Sequence, residues 1–394
     1  MRGFHELKLG EVLTLQRGFD ITKNEQSEGE VPIVSSSGVS SFHNQWKVKG
    51  PGVVIGRKGT LGTVHFLRCN YWPHDTTLWV KDFKKNDPRF LSYFLQTLRL
   101  ENFDVGASNP TLNRNHAHKI KVIFPEKIDT QHRIAAILAA YDELIENNKR
   151  RIASLEKLAE EIYREWFVRL RFPGYLKAKF IKGVPATWKV KKLSEIADFT
   201  MGQSPPSKSY NESGEGLPFH QGVGTYGNRF PRKITYCTAK GRKAIKGDIL
   251  FSVRAPVGRL NIADCEMIVG RGLAAIRHKE GHNSYLLYLL KVVFASEDII
   301  GNGSIFNSVG KDELANFPVL QPDDDLVVQF QSAAASIDRQ IEILSRAVEN
   351  LSGVREMLLP RLISGKLSVE NLDIHFPPSM TEELEAVPTA AAYA

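Results

Sequence analysis

Two short stretches of the chain hold cations among glycines, a pattern suited to gripping an anionic polymer. Arg57 and Lys58 lie in PGVVIGRKGTLGTVHF (51–66), and Arg254 and Arg259 lie in KGDILFSVRAPVGRLNI (246–262). Each reads as strand, basic turn, strand. Glycine lets a phosphate approach the main chain, while long basic side chains reach outward to phosphates or base edges. Thr60 adds a hydroxyl to the first turn. A polar segment follows later in each half. GASNPTLNRNHAHKIKVIFP (106–125) carries Asn109, Asn113, Arg114, His116 and His118, and GNGSIFNSVGKDELANFPVLQP (301–322) carries Asn307. Amide and guanidinium groups of this kind contact nucleic-acid backbones and bases. A solvated hairpin tip is the plain alternative; the recurrence of the feature in both halves favours function.

Groups for turnover are missing or out of context. His116 and His118 have no third ligand nearby to complete a metal site, and read as surface histidines on a basic loop. Gly222, Gly224 and Gly227 spell GxGxxG, but NRFPRK follows where a dinucleotide fold needs a helix start. No GxxxxGKS or GxxxxGKT phosphate loop occurs. The acidic run PDDD (322–325) has PEKID as its counterpart, so Asp129 and Asp325 suit the first turn of a helix, where the macrodipole favours negative charge. The chemistry is therefore binding.

The elements that must position these groups come twice. KLGEVLTLQRG (8–18) reopens as KLSEIADFTMG (192–202), VPIVSSSG (31–38) matches LPFHQG (217–222), and the amphipathic RFLSYFLQTL (89–98) matches SYLLYLLKVV (284–293). Gly62 and Gly258 stand 196 residues apart, as do Ile134 and Phe330. Each half ends in a long helix with a seven-residue apolar repeat. The first seam is Ile134, Leu138, Tyr141, Ile145, Asn148, Ile152, Leu155, Ala159, Ile162, Trp166; the second is Phe330, Ala334, Ile337, Ile341, Leu344, Val348, Leu351, Arg355, Leu358, Leu362. A narrow seam of this kind needs a partner helix, and each helix supplies the other's. An antiparallel return of the second helix brings the C-terminus back beside the first globular part. Asn148 and Arg355 place polar groups in the seam, where such residues fix register.

With 394 residues, 42% apolar and 24% charged, the chain has material for two ordinary cores. Cys69, Cys237 and Cys265 are too few and too scattered for a disulfide framework or a zinc site. The N-terminus MRGFHELKLGE turns charged too early for a signal peptide, and no apolar run approaches the ~20 residues that span a bilayer. A soluble protein of the reducing cytoplasm is expected. The net charge of +8 is moderate, but the basic residues gather in the polar loops of both globular parts. The expected fold class is α+β: two similar mixed α/β domains joined by two long helices in an antiparallel coiled coil, with an internal pseudo-twofold repeat. The expected segments are a domain over 1–128, a helix over 129–170, a linker over 171–186, a second domain over 187–324, a second helix over 325–366, and a flexible tail over 367–394.

WKVKKLSEIADFTMGQSP, KGDILFSVRAPVG and the helical stretch ending REWFVRLRFPGY resemble the DNA-specificity subunit of type I restriction-modification systems. The resemblance covers nearly everything except the tail. It implies two target-recognition domains, each reading one half of a bipartite double-stranded DNA target. It also implies a coiled coil that spaces them and docks two methyltransferase subunits. The subunit itself would be non-catalytic and would bind no cofactor, with S-adenosylmethionine, ATP and Mg on the methyltransferase and restriction/translocase partners. DNA methylation and phage defence would be its setting. The competing reading is a coiled-coil protein-interaction scaffold without a DNA role, separable by salt-dependent DNA binding.

Overall fold

The structure, a computed structural model, describes residues 3–103, 111–294 and 308–385. In chain order the elements that matter here are strands β1 (Thr14–Arg17), β2 (Gly52–Gly56), β3 (Val64–Leu67) and β4 (Thr77–Asp82), helix α1 (Pro88–Thr97) and the long helix α2 (Ile128–Tyr163). They recur as β5 (Ala197–Met201), β6 (Ile249–Ser252), β7 (Leu260–Ile262), β8 (Leu273–His278), α3 (Asn283–Val293) and the long helix α4 (Asp324–Ile363), followed by α5 (Pro378–Glu385). The chain divides into two compact units, residues 1–149 with 346–394 and residues 150–345.

The first unit contains an antiparallel sheet in the order β1-β4-β2-β3, and the second contains β5-β8-β6-β7, the same order. Each has a flanking antiparallel pair, Phe4–Lys8 with Lys121–Pro125 and Lys189–Lys192 with Pro318–Gln321. Each also has a parallel pair, Val31–Ser35 with Trp72–Pro73 and Leu217–His220 with Met267–Val269. The repeat read from the sequence is thus a repeat of topology. In the first unit Asp87 caps α1 by accepting from Phe90 N, and Pro88 sits where its missing N–H costs nothing. The helix buries Phe90 and Phe94 edge-on against Phe124, with ring centroids 5.6 and 5.0 Å away.

Both units are built on the long helices. Ile134 and Leu138 of α2 share the first unit's core with Leu362 and Ile363 of α4, so the start of one helix lies with the end of the other. In the second unit Ala159 and Tyr163 of α2 join Phe330, Ala334, Ile337 and Ile341 of α4. Both cores thus run the helices antiparallel. Along the seam Ile134, Leu138, Ile145, Ile337, Ile341 and Leu344 are buried, while Tyr141, Ile152, Leu155, Ile162, Val348, Leu351 and Leu358 are half-buried. Arg355, the polar break in the second seam, donates from Nε to Asp142 at 2.5 Å and from Nη2 to Gln96 at 3.0 Å.

Three expectations need correction. The first helix does not run unaltered to residue 170: Arg164–Val168 form a wider π turn. Around this turn Tyr163 and Phe167 lie in the core while the seam residues Ile162 and Trp166 are half-buried. The segment 171–186 is not a free linker. Phe172 is buried with its ring 5.4 Å from Trp188, and Phe180–Ile181 pairs with Val184–Pro185 in a small hairpin. The stretch after Lys366 is not a flexible tail as far as residue 385. Val369 and Met380 are 2% exposed and join the first unit's core, while Arg133 Nη1 donates to the carbonyls of Val369 (3.3 Å) and Leu372 (2.9 Å). Isolated anchors of this sort leave no periodicity to read. Residues 386–394 lie outside the described part.

Candidate nucleic-acid interface

The two cation-bearing hairpins are β2–β3 and β6–β7, as the glycine spacing predicts. In the first, Gly56 N donates to Thr63 O (2.8 Å) and Gly62 N to Gly56 O (3.0 Å). In the second, Ser252 N donates to Arg259 O (2.9 Å) and Gly258 N to Ser252 O (3.0 Å). Gly62 and Gly258 have φ of 73° and 84°, the left-handed region in which an L side chain is strained.

Neighbouring loops fix which residues correspond. Leu112 N donates to Arg57 O and Val309 N to Val253 O; Lys58 bridges to Thr111 as Arg254 bridges to Ser308. Arg57 N donates to Thr76 O, and Val253 N to Gly272 O. Lys58 and Arg254 are therefore structural equivalents, both exposed. Arg57 instead matches the buried Val253, and Arg259 matches Thr63. Four cations read as two pairs thus resolve into one shared position and two private ones.

Arg57 is half-buried beside Asp75, its Nη1 3.5 Å from that residue's carbonyl. Arg17, at the end of β1, donates from Nη2 to Asp75 Oδ2 at 2.8 Å. Burial, together with the Arg17 charge, pulls the Arg57 guanidinium below its ordinary pKa, and Asp75 offsets part of this. Burial pushes the Asp75 carboxyl up, but the Arg17 hydrogen bond and the charges of His74, Arg17 and Lys58 outweigh it and hold the group below the usual carboxylate range. Asp75 is thus an anion within a ring of cations. An open cleft of about 490 Å³ beside it is lined by Arg17, Phe19, Asp20, Lys47, Trp72 and Asp75, with Lys47 Nζ 4.7 Å from the centre of the Trp72 ring. Arg17 and Asp75 were not singled out in the sequence. The only signal was the place of QRG and TMG at the end of the opening repeat.

Of the other sequence candidates, Thr60 is exposed on the first hairpin and its carbonyl accepts from Thr63 Oγ1 at 3.0 Å. Asn113 caps the short helix Arg114–Ala117, its Oδ1 accepting from Asn115 N at 2.9 Å. Arg114 and His116 are exposed on that turn. His118 is not the surface residue expected: its Nε2 accepts from Leu15 N at 2.9 Å, and burial, with the Arg114 charge, lowers its pKa. A neutral imidazole acceptor satisfies a strand N–H there. Asn109 and Asn307 lie outside the described residues. Gly224 lies inside a single 3₁₀ turn, Val223–Thr225, with Gly222 before it and Gly227 after it.

The chain belongs to the family of type I restriction modification DNA specificity domains, which matches it twice, over residues 1–157 and 185–342. Among its relatives is a protein of Methanocaldococcus jannaschii named as a type I restriction enzyme MjaX specificity subunit. It is 30% identical over 296 residues, 73% of this chain and 69% of the relative. The MjaIX specificity subunit of the same organism is 23% identical over 304 residues, 72% of this chain and 70% of the relative. A crystal structure of the S subunit of a type I restriction-modification system from M. genitalium shares the fold, with a TM-score of 0.62 at 17% identity over 91% of this chain and 96% of that one. Among the described residues no helix is long and apolar enough to cross a membrane.

Proposed function

We propose that this chain is the DNA-specificity subunit of a type I restriction-modification complex, each unit reading one half of a bipartite double-stranded target. The observation that carries the reading is the duplicated hairpin, which presents an exposed cation at one backbone-defined position in both units, Lys58 and Arg254. A positive group repeated on two copies of one frame suits the phosphates of one duplex, which are alike wherever they are met. In this reading the subunit directs chemistry that its partners perform. The long helices then dock two methyltransferase subunits. Restriction/translocase subunits complete the assembly, and S-adenosylmethionine, ATP and Mg are held by those partners. The cytoplasm, where such a complex meets DNA, is the proposed location.

Selection of duplexes from a random library by the purified full chain tests the proposal. The expected result is one enriched motif of two defined halves separated by an undefined gap, with affinity falling steeply as salt rises. Retention that is indifferent to sequence and to salt would overturn it in favour of a protein-interaction scaffold.

A further inference from the structure

The two units can be compared position by position because their main chains make the same bonds. The residue after β1 meets the first residue of β4 through Gly18 N to Thr77 O, and the residue after β5 meets the first residue of β8 through Gly202 N to Leu273 O. Gly18 and Gly202 are glycines for one reason: a Cβ on either would lie 2.1 Å from the carbonyl oxygen of His74 or Gly270. In the parallel pairs Val34 O accepts from His74 N, and His220 O from Gly270 N. Arg17 therefore corresponds to Met201, Arg57 to Val253, Asp75 to Arg271, and Lys58 to Arg254.

Resting on the reading of this chain as a DNA-specificity subunit, we infer that Lys58 and Arg254 are a shared backbone anchor, whereas the set Arg17, Arg57 and Asp75, replaced in the second unit by Met201, Val253 and Arg271, gives each unit its own base preference. Phosphates repeat along any duplex and bases do not, so a contact common to both copies serves the backbone. The difference in sequence read must come from positions that differ. The differing positions here adjoin the anchor. In the first unit Asp75 holds Arg17 by a charge-assisted hydrogen bond and lies against Arg57. A guanidinium fixed by a carboxylate presents its donors in one plane, the geometry that reads guanine O6 and N7. Asp75 is a positioning residue in that arrangement. The second unit has a half-buried methionine and a buried valine at the two arginine positions, and an exposed Arg271 where the carboxylate stood. Arg271 is set among different polar groups: its N donates to Ser204 Oγ at 3.3 Å, and Ser204 Oγ donates to Gln221 Oε1 at 2.8 Å. At these positions one unit thus offers paired guanidiniums on an acidic support, and the other a lone guanidinium, that of Arg271, on a loop whose main chain is tied through Ser204 to Gln221.

The test repeats the random-duplex selection with Asp75→Asn, Arg17→Met, Arg271→Ala, Lys58→Ala and Arg254→Ala forms of the full chain. Binding is then measured to the parent's recovered duplex and to duplexes with one or the other half scrambled. Asp75→Asn and Arg17→Met are expected to lower discrimination at the same half about tenfold, and Arg271→Ala at the opposite half, each leaving the other half unchanged. Lys58→Ala and Arg254→Ala are expected to weaken all duplexes alike, each with a salt slope shallower by about 1. A merely structural role for Asp75 would lower binding to every duplex without altering the recovered motif. The inference is overturned if Asp75→Asn and Arg271→Ala recover the parent's motif with undiminished discrimination, or if Lys58→Ala alters the bases selected. A parent chain that recovers no motif overturns the DNA reading itself, a separate and visible failure.

Discussion

Substitutions along the helix seam should cost stability in proportion to burial, not to heptad position. Ile341 is fully buried in the second unit's core, whereas Ile152, in the same kind of seam position, is half-buried and packs at that core's margin. Truncating a buried isoleucine to alanine removes about three methyl or methylene groups and leaves a cavity, a loss of roughly 2 to 5 kcal/mol. We expect about 3 to 4 kcal/mol for Ile341→Ala and about 1 kcal/mol for Ile152→Ala, since half of the latter's surface term is already forfeited to water. Ile343, two residues on but 64% exposed, is the control: its alanine variant should stay within about 0.5 kcal/mol of the parent. Because two units need not unfold together, urea melts should be read with hydrogen exchange resolved by peptide. Ile341→Ala should raise exchange in residues 150–345 and leave 1–149 near the parent level; Leu138→Ala, also fully buried but in the first unit, should do the reverse. Equal costs at Ile341 and Ile152 would show that the seam is stabilised by heptad pairing alone and that the end cores contribute nothing particular.

The second unit should weaken in mild acid. Burial pulls the folded-state pKa of His220 down to about 4, and burial with the His282 charge does the same for His278. As pH falls from about 6.5 toward 4 the unfolded imidazoles take up protons that the folded ones refuse. Stability present above pH 6.5 is then lost, on the order of 3 kcal/mol for His220 at the lower end and less for His278, whose site water screens more. Urea midpoints of the parent at pH 7.5 and 5 should differ by more than those of His220→Gln, and a parent midpoint that does not move would refute the burial argument. In the first unit, Arg355 and Asp142 should show a coupling of about 1 kcal/mol in a double-mutant cycle with Arg355→Met and Asp142→Asn, because the pair is only partly withdrawn from water. Strictly additive effects would mean that Gln96 and the Tyr93 ring hold the arginine without the carboxylate.

What could be read in the sequence was whatever repeats. Heptads announce a helix pair because each apolar residue recurs where the next turn needs it, and glycine-flanked runs of β-branched residues announce hairpins. The C-terminal anchors lack that property. Val369, Ser379 and Met380 bury themselves singly, and Ser379 Oγ meets Arg89 Nη1 at 2.6 Å across 290 residues. The Arg17–Asp75 bond is hidden for a related reason. Its partners are 58 residues apart and meet only because β1 and β4 are neighbours in a sheet whose order is not the order of the chain. The hairpin cations belong with the repeats: the 196-residue offset that pairs Gly62 with Gly258 also pairs Lys58 with Arg254, and the bridges to Thr111 and Ser308 agree with it.

The same physics explains why a duplicated frame can carry unlike readers. Gly18 and Gly202 cannot gain a side chain without driving it into a carbonyl, and Gly62 and Gly258 hold a backbone angle that other residues resist. These positions are fixed by the main chain, so the loops they hold keep their places whatever side chains hang from them. Arg17 and Met201 each precede one of those glycines, and Asp75 and Arg271 each follow the residue that the glycine packs against; Arg17, Asp75 and Arg271 lie outside the hydrophobic cores, whereas Met201 packs at the edge of the second unit's core. A change at Arg17 alters which groups face the first unit's cleft at small cost to the fold. A change at the glycines alters the fold first, so exchanging Arg17 should leave thermal stability close to the parent's, while Gly18→Ala should lower it by about 2 kcal/mol or more.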